Sequence, residues 1–200
     1  MSLRYFEITE GGNRILNPLD EQHLLFIGDL CDLKPGMRQL DLACGEGEML
    51  CRFADRYGTS GVGVDISTVF LGNARKRADE LGVADRVTFV QGDGAKYADL
   101  VPDTRGAFDV VSCIGATWIG GGTLGTLNLM RPALNDNPDA LVLVGEVFWQ
   151  NEPDAEAAAA MGFASPDDVP TRSGLLERFD AAGLELLEMV AATTEMWDRY

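Results

Sequence analysis

The stretch Gln39-Leu40-Asp41-Leu42-Ala43-Cys44-Gly45-Glu46-Gly47-Glu48-Met49-Leu50 constrains this chain more than any other part of it. A short apolar run that breaks into small residues and resumes as a helical pattern is a strand, a turn and a crossover helix. A second apolar run, Gly61-Val62-Gly63-Val64-Asp65-Ile66-Ser67, follows and ends in a carboxylate. Two parallel strands joined by a helix, with small residues at the first turn and an acid at the second tip, make a cradle for a nucleoside. The expected fold is therefore α/β, with a Rossmann-like, doubly wound and mostly parallel sheet.

The spacing within the loop selects among nucleosides. Dinucleotide loops read G-x-G-x-x-G, and the third glycine lets the helix turn its N-terminus to a pyrophosphate. Here Ala43, Gly45 and Gly47 alternate, and Leu50 stands where that third glycine would fall. Asp41 precedes the loop; a carboxylate there repels phosphate and suits a sulfonium and an ammonium group. The pattern resembles motif I, D-x-G-x-G-x-G, of the class I S-adenosylmethionine-dependent methyltransferases, with Ala43 in place of the first glycine. That resemblance covers residues 36–150 and implies S-adenosylmethionine as cofactor. Asp65 matches the acid that accepts both ribose hydroxyls, and Ile66 would offer adenine an apolar face. Residues 87–94 resemble the third strand and its tip, where Asp93, followed by Gly94, would accept from the adenine amino group. Residues 108–115 resemble the fourth strand, which brings Cys113 beneath the sulfonium. The expected cofactor contacts are thus Asp41, Ala43, Gly45, Gly47, Asp65, Ile66, Asp93, Gly94 and Cys113.

At 200 residues the chain is long enough for one sizeable core and short for two. We expect a single domain over 1–200, with a helical lid at 1–35, a cofactor-binding core at 36–150 and a substrate-side cap with a last helix–strand unit at 151–200. No apolar run approaches the ~20 residues that span a bilayer, and no basic stretch followed by an apolar core opens the chain. A cytoplasmic protein is expected. A net charge of −16 disfavours nucleic acid as substrate, because phosphate binding needs a basic surface. The one basic cluster, Arg75-Lys76-Arg77, is expected to face solvent on a helix and pair with Asp79 and Glu80. The four cysteines Cys31, Cys44, Cys51 and Cys113 lack metal or C-x-x-C spacing. Small apolar packing is a plainer account of each than nucleophilic chemistry. No Pro-Cys pair occurs, which argues against the cytosine C5 methyltransferases of this fold.

Along the chain, strands are expected at 38–43, 61–65, 86–91, 108–113 and 140–147, and helices at 46–57, 68–81, 94–101 and 122–134. Asp20 caps a helix running through Leu33, with Leu24, Leu25, Ile27 and Leu30 as its apolar stripe. The resemblance implies that this segment folds over the cofactor, with Tyr5, Phe6, Arg14 and His23 as cleft residues. Residues 151–173, with the run Ala157-Ala158-Ala159-Ala160 and then Pro166 and Pro170, read as a helix followed by an irregular cap. A helix at 175–182 and a sixth strand at 184–191 complete the pattern. The family sheet carries a seventh, antiparallel strand, and none remains in this sequence. We therefore expect that edge strand to be missing and the natural chain to continue past Tyr200.

Methyl transfer from a sulfonium has an excellent leaving group, so alignment contributes most, on the order of 7–11 kcal/mol. A base is needed only when the nucleophile must lose a proton. Candidates are Glu146, at the tip of the fifth strand, and His23, the single histidine. Glu146 pairing with an arginine, and His23 as a packing residue, are the plainer accounts. Trp118, in the glycine-rich turn after the fourth strand, and Trp149 are candidate walls of a substrate pocket; Trp118 packed on the N-terminal segment is the alternative. No N/D-P-P-Y/F motif is present, which disfavours nucleic-acid and protein-amide acceptors. No cluster of His, Asp and Glu has ligand spacing, so no metal is expected. The turn at 114–122, the Gly-Glu of the fifth strand and Trp197-Asp198-Arg199-Tyr200 resemble bacterial small-molecule methyltransferases of the ubiquinone/menaquinone-biosynthesis type. The leading expectation is methyl transfer to a small molecule at O, N or C. A catalytically silent cofactor-binding module or partner subunit is the second. An aminopropyl transferase, a third, lacks the acid-rich acceptor site it would need.

Overall fold

The computed structural model describes residues 2–151, 154–160 and 169–200. One parallel sheet holds β1 (Arg38–Leu42), β2 (Ser60–Asp65), β3 (Val87–Gln91), β4 (Val110–Ile114) and β5 (Leu141–Gly145). The order is β3-β2-β1-β4-β5. The chain winds outward from β1 to β3 and then returns to the other side of β1. That reversal leaves a crevice at the carboxyl ends of β1 and β4, where ligands of such sheets bind.

Apolar side chains on both faces force this layering, since strands covered on two sides bury nearly every residue. One face packs Leu40, Leu42, Val64, Val111 and Cys113 beneath Tyr97, Phe108 and Met130. The other carries α2 (Glu21–Leu30), α3 (Glu48–Tyr57) and α4 (Thr68–Glu80). There Leu24, Met49 and Phe53 cover Val110 and Ile114, while Leu50, Leu71 and Ala74 cover Phe89. Asp20 caps α2 by accepting from the His23 N–H, and Ser67 caps α4 by accepting from that of Phe70. The remaining α-helices among the described residues are α1 (Leu3–Thr9), α5 (Tyr97–Leu100), α6 (Thr123–Met130), α7 (Ala155–Ala160), α8 (Arg172–Ala181) and α9 (Thr194–Arg199).

Two contacts orient α2. At its start Arg52 Nη2 donates to Glu21 at 2.6 Å, and near its end the Tyr57 hydroxyl donates to Leu25 O at 2.6 Å and to Asp29 at 2.8 Å. Arg52 precedes Tyr57 on α3, so the two helices run in the same sense. The start of α2 therefore lies at the carboxyl end of the sheet, beside the crevice.

The N-terminal segment lies against the loop after β1. A Cβ at Gly45 would lie 2.7 Å from Leu16 Cδ1, so the arm covers the β1–α3 loop. The Ser67 hydroxyl donates to Glu7 of α1 at 2.7 Å, and Arg14 pairs outward with Glu80 at 3.0 Å.

Two expectations are corrected. Residues 184–193 form no regular secondary structure and join no ladder, and among the described residues β5 has β4 as its strand partner. Leu186 and Leu187 there are exposed; an apolar run becomes a strand only when another strand bonds to it. Arg77 does not face solvent. It is largely buried and donates twice to Glu48, at 2.6 and 2.9 Å, as well as to Glu80 at 3.0 Å. With Arg52 donating at 2.8 Å, the buried Glu48 carboxylate is held below its ordinary range against the burial that would raise it. Pro166 and most of the expected irregular cap lie outside the described residues.

Candidate cofactor and acceptor site

The loop after β1 takes its shape from three left-handed residues, Ala43 (φ 55°), Gly45 (φ 54°) and Gly47 (φ 67°). Glycine adopts that conformation freely, whereas an alanine there costs about 1–2 kcal/mol. The alternation in sequence is thus an alternation in backbone conformation. At Gly47 a Cβ would meet the Phe89 ring and Ala74 within 2.7–2.8 Å, so the loop is also pressed onto β3 and α4.

Asp65 ties this loop to the tip of β2. Its Oδ2 accepts from the Gly45 N–H at 2.9 Å and its Oδ1 from the Ser67 N–H at 2.8 Å. Each oxygen keeps a lone pair for a further donor, and burial raises this carboxyl above its ordinary range. Ile66 beside it is 56% exposed, an apolar side chain standing at the strand's tip. Asp93, on the neighbouring tip, spends Oδ1 on the Ala95 N–H at 3.0 Å. Gly94 is buried behind it, and a Cβ there would lie 3.5 Å from the Ala43 nitrogen and 3.2 Å from Ile119 Cδ1. Ala43, Gly45, Gly47, Asp65, Ile66, Asp93 and Gly94 are thereby brought together around one slot.

Asp41 lies deeper. The Ser112 hydroxyl donates to its Oδ1 at 2.7 Å and in turn receives the Gln39 amide at 2.9 Å. Burial, with the nearby charge of Asp65, pushes the Asp41 carboxyl up to about 7. Gln39 Oε1 is buried without a partner. Among the described residues no lysine or arginine pairs with Asp41, Asp65 or Asp93. This donor set suits a cation and a ribose diol and is ill suited to a pyrophosphate.

Cys113 does not join the slot through its side chain. Its thiol is fully buried in the core on the opposite face from Asp41, and burial pushes it up to about 12. Packing accounts for it. Cys44 sits against Gly63 and is likewise raised by burial.

The tips of β4 and β5 border the other side of the crevice. Glu146 follows β5 and is tied to the β4–α6 connection: its Oε2 accepts from Thr117 and, at 3.0 Å, from Thr123, while Oε1 accepts from the Val147 N–H at 3.1 Å. Its partners are hydroxyls and a backbone amide, in place of the arginine considered from sequence. Trp118, in the 3-10 turn Thr117–Gly120, is 69% exposed, so it is not packed on the N-terminal arm. Trp149 is half-buried and its backbone N–H donates to Pro170 O at 2.9 Å. His23 stands on the first turn of α2 with Nδ1 2.7 Å from Asp20 Oδ1. Arg199 Nη2 donates to Asp20 Oδ2 at 3.4 Å, and the hydrogen bonds from His23 hold Asp20 down at about 2.

Sequence reasoning missed Ser112, Gln39, Thr117, Thr123 and Arg199. Ser112 reaches Asp41 because β4 pairs with β1 in a register that sets the two opposite each other. Residues 71 positions apart in the chain carry no local sign of that meeting.

Comparison with known proteins agrees with this geometry. Residues 40–137 match a family described as a methyltransferase domain. The chain is similar to the uncharacterized protein YjhP of Escherichia coli, 42% identical over 98% of this chain and 77% of that one. It also matches the ubiquinone/menaquinone biosynthesis C-methyltransferase UbiE of Ectopseudomonas mendocina, 39% identical over 44% of this chain and 33% of that enzyme. A crystal structure of an S-adenosylmethionine-dependent methyltransferase from Geobacter sulfurreducens, in complex with S-adenosyl-L-homocysteine, superposes with a TM-score of 0.92. It is 42% identical and covers 100% of this chain and 78% of that one.

Proposed function

Because this chain belongs to the S-adenosylmethionine-dependent methyltransferases, we propose that it methylates a small-molecule acceptor. S-adenosylmethionine would lie along the slot between the tips of β1, β2 and β3. The observation that carries this reading is Asp65, a buried carboxylate with both oxygens anchored by backbone N–H groups, beside the exposed Ile66. Asp65 would take the ribose hydroxyls, Ile66 and Gly94 the faces of adenine, Asp93 its amino group, and the loop of Ala43, Gly45 and Gly47 the methionyl part above Asp41. Bound there, the cofactor supplies a methyl group on a positively charged sulfur that leaves as a neutral thioether. The arm that lays Leu16 over Gly45 excludes water from this end of the slot.

Acceptor binding falls to the tips of β4 and β5. Glu146 fixes Thr117 and Thr123, and through them the turn that carries Trp118. Trp118 and Trp149 would wall the acceptor, and Glu146 and His23 are the groups available to orient it or take its proton. A small acceptor agrees with the acidic surface implied by a net charge of −16, which opposes nucleic acid. No described helix is long and apolar enough to cross a membrane. A cytoplasmic setting suits four free cysteines.

The test is calorimetry with S-adenosylhomocysteine on the wild type and on Asp65→Asn. One oxygen that accepts from the ribose becomes a donor in the variant, and charge assistance is lost. The dissociation constant should rise about 30-fold or more, ~2–4 kcal/mol. An unchanged constant would remove Asp65 from the ribose.

A further inference from the structure

The start of α2 carries a second constellation that cofactor binding does not use. Asp20, His23 and Arg199 form a line across α2 and α9: guanidinium to Oδ2 at 3.4 Å, Oδ1 to Nδ1 at 2.7 Å. A carboxylate acceptor at Nδ1 fixes the neutral imidazole with its proton on that nitrogen, which leaves the Nε2 lone pair free. Among the described residues Nε2 has no hydrogen-bond partner.

Its direction follows from the helix. Glu21 reaches Arg52, so that flank of α2 faces α3. His23 is two residues further on, a rotation of roughly 200°, and therefore lies on the flank turned away from α3. One turn on from His23 on the same flank, Ile27 belongs to the apolar cluster that also holds Ile114 of β4 and Leu141 and Leu143 of β5. Since the start of α2 stands at the carboxyl end of the sheet, His23 is placed near the tips of β4 and β5, where the acceptor belongs.

We infer that His23 is the proton acceptor of the reaction, that Asp20 and Arg199 position it, and that the acceptor carries an ionisable O–H or N–H at the atom methylated. The inference rests on the methyltransferase reading above. The proton passes from the acceptor atom to Nε2, that atom's electron pair forms the bond to carbon, and the sulfur–carbon pair stays on sulfur. Water then removes the proton from the imidazolium. Asp20 offsets the imidazolium charge, and Arg199 from α9 keeps Asp20 turned towards the ring. On the α3 flank Arg52 is occupied by Glu21 and Glu48. Asp20 bonds the ring directly, and Arg199 reaches it through Asp20.

The experiment needs no acceptor. His23 is the only histidine, so protein with nitrogen-15 in its imidazole gives one set of signals by nuclear magnetic resonance. The neutral ring should carry its proton on Nδ1, and Asp20→Asn should lose that preference. The titration is then repeated in saturating S-adenosylmethionine and in saturating S-adenosylhomocysteine, which differ by one positive charge on sulfur. The midpoint should be about one pH unit lower with the sulfonium, as for a like charge close to the ring. A proton on Nε2 in the neutral state, or equal midpoints with the two ligands bound, overturns the dyad while leaving the cofactor reading intact. Failure of both ligands to bind overturns that reading, and this inference with it.

Discussion

At the tips of β1, β2 and β3 buried groups bond to one another: Gly45 to Asp65, Ser67 to Asp65, Ser112 to Asp41. At the tips of β4 and β5 an added Cβ at Gly115, Gly121 or Gly122 would meet nothing within 4 Å, although Gly120 and Gly145 are closely packed, and Trp118 and Val147 stand exposed. Both regions turn through left-handed residues, but in the first those residues are pressed against neighbouring side chains, while in the second several have room around them. A methyl donor that every enzyme of the family shares asks for the first kind of construction. An acceptor that differs between enzymes asks for the second.

The largest expected difference between the regions is steric. Gly47 and Gly121 are both left-handed, with φ of 67° and 79°. A Cβ at Gly47 meets Phe89 and Ala74, whereas one at Gly121 meets nothing within 4 Å. Gly121→Ala should cost about 1–2 kcal/mol, the conformational term alone. Gly47→Ala adds overpacking of about 1–3 kcal/mol and should lower the urea midpoint correspondingly further. Equal losses would mean that the loop after β1 is no more tightly built than the turn after β4.

Proton binding separates the regions next. Burial holds the Asp41 carboxyl at about 7, far above its unfolded value. Between about pH 4 and 7 the native state keeps a proton that the unfolded chain releases. This contribution is full below pH 4 and is lost as pH rises through 7. From pH 5 to pH 8 the wild type should lose on the order of 2 kcal/mol relative to Asp41→Asn, which has no proton there to release. Denaturant titrations of both proteins at the two pH values measure this difference. A constant difference between them would show Asp41 ionised throughout.

The same contrast explains what the sequence disclosed. The shape of the loop after β1 and of the tip of β2 was legible because its determinants are local: alternating small residues that turn out left-handed, an acid at a strand's tip, an apolar residue after it. The start of α2 was legible for the same reason, since Asp20 acts within three residues of itself. The run at 184–191 misled because a strand requires a partner, and its apolar residues say nothing of whether one is at hand. Arg77 misled because its partner Glu48 lies 29 positions away on another helix. The Glu146 link to Thr117 and Thr123 depends on how β5 sits beside β4, and that too is decided by packing.

Trp118 supplies the smallest expected effect and the most direct test of the looser region. With 69% of its surface exposed, its indole contributes little to folding, so Trp118→Ala should change stability by no more than about 0.5 kcal/mol. The variant's affinity for S-adenosylhomocysteine should also be unchanged, because the slot is built from β1, β2 and β3. Once an acceptor is in hand, the loss should appear in KM, since removing an apolar wall weakens the acceptor's binding in ground and transition states alike. A stability loss above about 1 kcal/mol would mean that Trp118 is packed in solution, and that the turn after β4 is as firmly built as the loop after β1. A fall in kcat with KM unchanged would instead place the indole against the reacting atoms, making alignment as well as shape a task of this half of the sheet.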